Sequence, residues 1–446
     1  MLFYFKIPDS LFTGSVVLYD SIACLTLPQL FLNLNPSRNV METKISPPLV
    51  STGNVVPQQE YSSIPFYIIA TVFSSFCVIS GLIWDISWHI SIGRDGLLSP
   101  PHLVIYLGAV IAGLFSGYEI LRKTFWGSTI EKADSVKIWG FFYSSLGALF
   151  CVWGALAMLT SAPFDDWWHN TYGLDVTILS PPHTVLILGI IGIQFGAMVS
   201  VIAVKNQAKL RMQRTNNYKR EADQKLFWLF ALSAGFLLTI WFTLLSEELG
   251  RMQSHRSDFY IYAASAFPIL LMAVGKSVKH KWTITAVTGV YTVLMLTTFW
   301  IIPLFPAEPK LGPVLNHITH YQGFQFPLLL ILPAIALDIL RNRFAYLNDW
   351  KLTLILGSSF LVIFFVVHWY FGGFLMESPY ARNWFFGSHY WYFGNDPNWE
   401  YRYKYASWMT ETMPELIKGL GIALVACLIS TRIGLSWGNW MHKIQR

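Results

Sequence analysis

Cysteine is nearly absent, at four in 446 residues. Cys24, Cys77, Cys151 and Cys427 stand alone with no C-x-x-C pair, and the last three lie in apolar runs. This excludes a disulfide-rich scaffold, a thiol redox motif and a cysteine-ligated zinc or iron–sulfur centre. The four are small packing residues. Charge is also scarce: Asp, Glu, Lys and Arg make up 13%, against roughly 25% in soluble domains. So few charges cannot cover a water-exposed surface, which excludes a cytosolic enzyme. Neither a Rossmann fingerprint nor a P-loop occurs. What fills the chain is apolar, 54% of residues, with 16% aromatic and a mean hydropathy of +0.45. Such a chain is an integral membrane protein, and the lipid bilayer is its first partner.

Apolar runs long enough to span a bilayer recur at about 64–90, 102–121, 138–160, 182–204, 226–246, 258–275, 282–302, 323–340, 351–372 and 413–431. They are continuous rather than alternating. The expected fold is therefore all-α, a polytopic membrane protein of about ten transmembrane helices, and not a β-barrel. Lys and Arg set the orientation. The ten spans sort the 31 basic residues 23 to 8, with both termini on the richer, cytoplasmic side. The formal charge of +6 is thus a topology signal, and no nucleic acid is expected. Residues 1–60 read as a poorly structured segment, interrupted by Pro8, Asp9, Asp20, Pro28 and Pro36. An over-long gene start, with Met41 as initiator, is the simplest account of it.

Two stretches of the chain match each other. Trp84–His102 and Phe164–His183 align with one inserted residue, pairing Asp85 with Asp165, Trp88 with Trp168 and His89 with His169. Gly93 pairs with Gly173, Asp95 with Asp175, and Ser99-Pro-Pro-His102 with Ser180-Pro-Pro-His183. The expected architecture is a helical hairpin used twice in one orientation, a four-helix repeat over 61–205. A six-helix region over 206–446 follows it.

Spacing brings ligand-type side chains together. Asp85 and His89 are i and i+4 near the outer end of a span, on one face of the helix. Ser99 suits an N-cap, and Pro100 and Pro101 suit the first turn. His102 then falls at the same membrane face, where the positive helix end favours a neutral imidazole. Asp165, His169 and His183 repeat the arrangement. Acidic and histidine side chains are costly in or near a membrane, so two matched sets at ligand spacing point to metal binding. Trp88, Trp167 and Trp168 read as interfacial belt residues. Arg94 and Asp95 read equally as a loop salt bridge.

At these residues the chain resembles the C subunit of the copper membrane monooxygenases, the particulate methane and ammonia monooxygenases. Asp85, Trp88, His89, Arg94, Asp95, Ser99, Pro100 and His102 match that family's first ligand motif. His169, Pro181 and His183 match its second, although Asp165 stands where the family has Asn. The resemblance spans about residues 65–205. It implies copper at Asp85, His89, His102, Asp165, His169 and His183, a monooxygenase-like activity and a bacterial inner (cytoplasmic) membrane. Two histidines and a carboxylate with open positions suit non-haem iron as well.

Nine of the eleven histidines are expected outside, among them His255, His317, His320, His368 and His389. His317 and His320 are i and i+3 but lie in a proline-rich loop, and Glu247 and Glu248 read as helix-end solvation. Loop 373–412 carries ten Trp and Tyr residues between Tyr380 and Trp408. It reads equally as a lid or as an interfacial shelf. The leading expectation is an O2-activating membrane oxidoreductase, or a subunit of one working with other membrane subunits. Its electrons would come from a quinol or a partner. The alternative is a transporter or metal-handling protein using the Asp/His sites as an ion pathway.

Overall fold

The computed structural model describes residues 64–172, 180–215 and 220–446. Residues 1–60, Gly173 and Asp175 lie outside these. Eleven α-helices are described: α1 (Phe66–Ser91), α2 (Pro100–Trp126), α3 (Thr129–Ala133), α4 (Leu146–Tyr172), α5 (Pro181–Thr215), α6 (Arg220–Leu244), α7 (Ser257–Ser277), α8 (Thr283–Ile301), α9 (Ile331–Arg343), α10 (Asp349–Glu377) and α11 (Met413–Met441). One two-stranded antiparallel hairpin, β1 (Val136–Ile138) with β2 (Phe142–Ser144), precedes α4. The third span accordingly begins later than its apolar run. Nine of these helices are long and apolar enough to cross a membrane. The fold is an all-α polytopic membrane protein.

The repeat is visible in the packing as well as in the residues. In α1/α2, Ser74 Oγ donates to the Gly108 carbonyl at 2.6 Å. A Cβ on Gly108 would come within 2.9 Å of the Ser74 carbonyl oxygen. In α4/α5 the same two places are taken by Gly154 and Gly189, where a Cβ on Gly189 would come within 2.8 Å of the Gly154 carbonyl oxygen. Both hairpins therefore cross at a point where only a missing side chain lets the backbones meet. Gln194 on α5 links the hairpins by donating to the Ser75 carbonyl of α1 at 3.0 Å.

The eighth expected span, 323–340, departs from a plain helix. Residues 321–329 carry no regular structure, and only Ile331–Arg343 are helical. The stretch still passes from one end of the bundle to the other. Gln322 N–H donates to Ser91 Oγ at the end of α1, and Arg341 donates to the His280 carbonyl between α7 and α8. Pro327 and Pro333 explain the break. Pro333 sits in the first turn of α9, where a missing N–H is harmless, but its ring would clash with a helical residue 329. Irregular backbone survives inside a bundle only if its polar groups find protein partners. Here Leu328 N–H donates to Tyr291 Oη at 3.0 Å and Leu329 N–H to His368 Nε2 at 3.1 Å. His368 in turn donates Nδ1–H to the Phe364 carbonyl. It is a buried structural acceptor.

The run 205–225, expected as a loop, is largely helix, because α5 extends to Thr215 and α6 starts at Arg220. Lys205 pairs with Asp223 there, and Asn206 donates to the carbonyls of His442 and Ile444. At the other end of the bundle two segments, 302–322 and 378–412, lie over the end of α1. Trp88 packs on Tyr321, and the Ile90 and Ile92 carbonyls accept from Phe393 and Lys310.

Candidate metal centres

Helix α1 ends at a glycine that the turn requires. Gly93 has φ +94, a conformation that side chains avoid, and its N–H returns to the Trp88 carbonyl. A Cβ there would also fall 2.7 Å from Leu311 Cβ. The chain turns through 94–98 and restarts as α2 at Pro100, with Ser99 in the N-cap position. The hydroxyl of Ser99 makes no capping bond and is buried without a partner. Its counterpart does cap: Ser180 Oγ accepts from His183 N–H at 3.3 Å.

The first centre unites the three expected residues with a fourth. His102 Nε2 lies 3.4 Å from Asp85 Oδ1 and 2.9 Å from Asp95 Oδ2. His89 Nε2 lies 3.8 Å from Asp85 Oδ2 and 3.5 Å from Asp95 Oδ2. Ligand atoms of Asp85, His89 and Asp95 all fall within 4.8 Å of one another. Asp95 thus faces the histidines, and the alternative Arg94–Asp95 loop salt bridge does not form. Burial alone would raise the Asp95 carboxyl, but hydrogen bonds from His102 and His89 hold it well below the usual carboxylate range. Its signal in the sequence is its pairing with Asp175 in the repeat. Trp88 also does more than mark an interface, because its Nε1–H donates to the Arg94 carbonyl at 3.3 Å and so holds the Asp95 loop.

The orientation of His102 is set from behind. Its Nδ1 lies 3.1 Å from the Gly96 carbonyl, which can only accept, so Nδ1 carries the proton and Nε2 turns toward the carboxylates. A lone pair facing two carboxylate oxygens needs a cation between them, either a proton on Nε2 or a metal ion. Asp85 Oδ1 is fully buried and lacks a well-formed hydrogen bond. An acceptor-rich pocket of this kind fits a cation.

The second centre is simpler among the described residues. His169 Nε2 and His183 Nε2 lie 3.5 and 3.3 Å from the same atom, Asp165 Oδ1, and all three ligand atoms are within 4.8 Å of one another. Both sets are half-buried. Tyr106, one turn beyond His102, packs its ring at a tilt against it, with centroids 5.9 Å apart. No feature of the sequence singled it out.

The remaining histidines gather no carboxylates. His317 and His320 are exposed, and His320 contacts Thr319 Oγ1. His255 is stacked between Trp369 and Tyr405, with Nε2 on the Trp369 carbonyl. Glu247 and Glu248 are exposed at the end of α6. Among the described residues, the two repeat sets are the groups able to hold a metal ion. No family model, curated protein or solved structure matches this chain.

Proposed function

We propose that each hairpin binds one metal ion. On this reading the protein is a metal-dependent, O2-activating membrane oxidoreductase, monooxygenase-like, or a subunit of one. The observation that carries the reading is the convergence, at the same end of both repeats, of two imidazoles on a half-buried carboxylate. Copper is what the resemblance implies, and the mixed nitrogen and oxygen donors also suit iron. With open positions, either metal supplies O2 binding and one-electron chemistry. The chain's part is to hold Asp85 and His89 on successive turns of α1, to aim His102 through Gly96, and to keep Asp95 ionised beside them. The apolar helices around the sites admit a hydrophobic or small substrate. With no dinucleotide fingerprint, electrons come from a quinol or a partner membrane subunit.

On this reading the sites face outward across a bacterial inner membrane, with both termini cytoplasmic. Basic residues at the opposite ends of the helices support that orientation. The deciding experiment is elemental analysis of protein purified in mild detergent, where copper or iron should be retained. Protein that is metal-free and also fails to take up either metal on reconstitution would falsify the reading.

A transporter is the second reading, and the broken crossing at 321–343 favours it, because interrupted helices are common in transport sites. Against it, the freed N–H groups of Leu328 and Leu329 are already engaged by Tyr291 and His368. Metal flux into vesicles that disappears with Asp85→Asn would replace the enzyme reading with transport.

A further inference from the structure

Away from the Asp/His centres, the cover segment 378–412 gathers three arginines for which the described residues supply no carboxylate. Arg382 and Arg402 both lie over the ring of Tyr403, with guanidinium carbons 4.6 and 5.1 Å from its centroid. Arg402 also lies 5.2 Å over Trp391 and donates to the carbonyls of Pro397 and His389, while its Nε is buried without an acceptor. Arg251 reaches the same place from the 3-10 turn after α6. Its guanidinium makes no hydrogen bond or ion pair among the described residues, and Tyr405 Oη donates to its backbone carbonyl at 3.3 Å. Burial, reinforced by Arg402, pulls its guanidinium below the ordinary value. Of the acidic residues nearby, Glu400 pairs with Lys404, Asp396 accepts from Asn398 N–H, and Glu377 is exposed and forms no ion pair with these arginines.

From this arrangement we infer that Arg251, Arg382 and Arg402 form a binding site for a phosphate group. Aromatic rings hold guanidinium groups close without neutralising them, and an anionic ligand would supply the acceptor that the buried Nε of Arg402 lacks. Several planar forks are better shared by the tetrahedral oxygens of a phosphate than by the two of a carboxylate. Tyr380, Trp384 and Trp408 are exposed on the same segment, and Trp384 stacks on Trp300 near the end of α8. Exposed aromatics at a helix end mark headgroup depth. The phosphate is that of a phospholipid or is free in solution.

The test compares wild type with Arg251→Gln/Arg382→Gln, two side chains that make no internal hydrogen bond. Full-length protein is reconstituted with phosphatidylglycerol and exchanged into non-ionic detergent, and retained phospholipid is measured per chain. Separately, the melting temperature of delipidated protein is followed against inorganic phosphate. Lipid retained by wild type and reduced at least about tenfold in the variant assigns the site to a headgroup. Stabilisation of wild type alone by inorganic phosphate, without retained lipid, assigns it to a free anion. Equal lipid retention and equal phosphate response in both proteins overturns the proposal. If the Gln pair does not fold, Arg251→Lys/Arg382→Lys keeps the charges and loses the forks. Binding unchanged in that pair overturns it too.

Discussion

The two hairpins carry nearly the same ligands, and among the described residues they have different neighbours. At the first, Asp95 joins the set, Gly96 orients His102, and Trp88 holds the loop between them. The clamp then reaches into the C-terminal half. Ser91 accepts from Gln322 N–H, Gln322 accepts from Trp391 N–H, and Ile90 accepts from Phe393 N–H. At the second, the described support comes from the hairpin itself: Ser180 caps α5, and Asn170 donates to Asp166. Trp167 and Tyr172 at the end of α4 remain exposed. A duplicated cassette thus supplies ligands twice, and the first copy is tied into the later helices and loops. Orienting partners outside the ligand set govern how tightly a site binds, so the first centre, with Asp95, Gly96 and Trp88 around its histidines, should tolerate the loss of one ligand.

The largest test of that difference removes the corresponding histidine from each hairpin. Among the described residues His169→Ala leaves Asp165 and His183, too few donors for tight binding, and occupancy of the second site should fall. His89→Ala leaves Asp85, Asp95 and His102, and the first site should weaken by about 10- to 100-fold while staying loadable at raised metal. Metal stoichiometry of the two variants at low and high metal reads this directly. Complete loss at both metal levels in both variants would show that the extra carboxylate gives no protection. Emptying of both sites by either substitution would show one shared centre.

Asp95→Asn is the next largest. It should weaken the first site by about tenfold and leave the second unchanged. A pH signature accompanies it in metal-free protein. The folded Asp95 carboxyl is held below its unfolded value of about 3.9, so its stabilising effect is complete above that pH and fades as pH falls beneath it. The melting temperature of wild type should therefore drop more steeply below about pH 4 than that of the variant. Parallel curves would show that Asp95 does not interact with the histidines in solution.

A backbone test is smaller and is confined to the first hairpin. Gly93→Ala places a Cβ at φ +94 and 2.7 Å from Leu311, and should cost about 1–3 kcal/mol. Gly96→Ala, where a Cβ meets nothing within 4 Å, is the control and should stay within ~0.5 kcal/mol of wild type. Equal melting temperatures for the two variants would remove the turn at Gly93 as a determinant of the site.

Fold class and site were legible in the sequence to different depths. Long apolar runs report helices because a bilayer leaves the backbone few other options, and nine of the spans are long helices. The eighth misled because hydropathy measures burial, not conformation. Phe324–Leu332 is as apolar as a helix, and the break is written only in Pro327 and Pro333. The partners that make it tolerable, Tyr291 and His368, come from two other helices. The ligands were legible because i and i+4 spacing and a Pro-Pro-His start are local, and because the pattern occurs twice. Asp95 was harder to read, since a loop carboxylate beside Arg94 has an ordinary partner next door in sequence. Tyr106 and the arginines around Tyr403 left no local pattern at all.

The smallest test contrasts the two caps. Ser99 and Ser180 occupy equivalent places before Pro-Pro-His, and from sequence alone both read as N-caps. Ser180 Oγ accepts the His183 N–H at 3.3 Å, whereas Ser99 Oγ is buried without a partner. Removing a working cap costs about 0.5–2 kcal/mol, and the long 3.3 Å bond puts Ser180→Ala at the lower end of that range. Ser99→Ala removes a hydroxyl that was desolvated without a hydrogen bond, so its effect should be nil or mildly stabilising. A neutral Ser99→Ala has a physical reason beyond the absent bond. The first hairpin already has its start fixed by the Gly96 carbonyl on His102 and by the packing of the loop against the C-terminal half. In the second hairpin the cap holds the N–H of the ligand His183 itself, so Ser180→Ala should also lower metal occupancy of the second site slightly. Denaturant unfolding of metal-free protein and metal titration of each variant measure the two effects. Equal losses in both variants would mean that the hairpins start alike in solution and that the first draws no extra support from its surroundings.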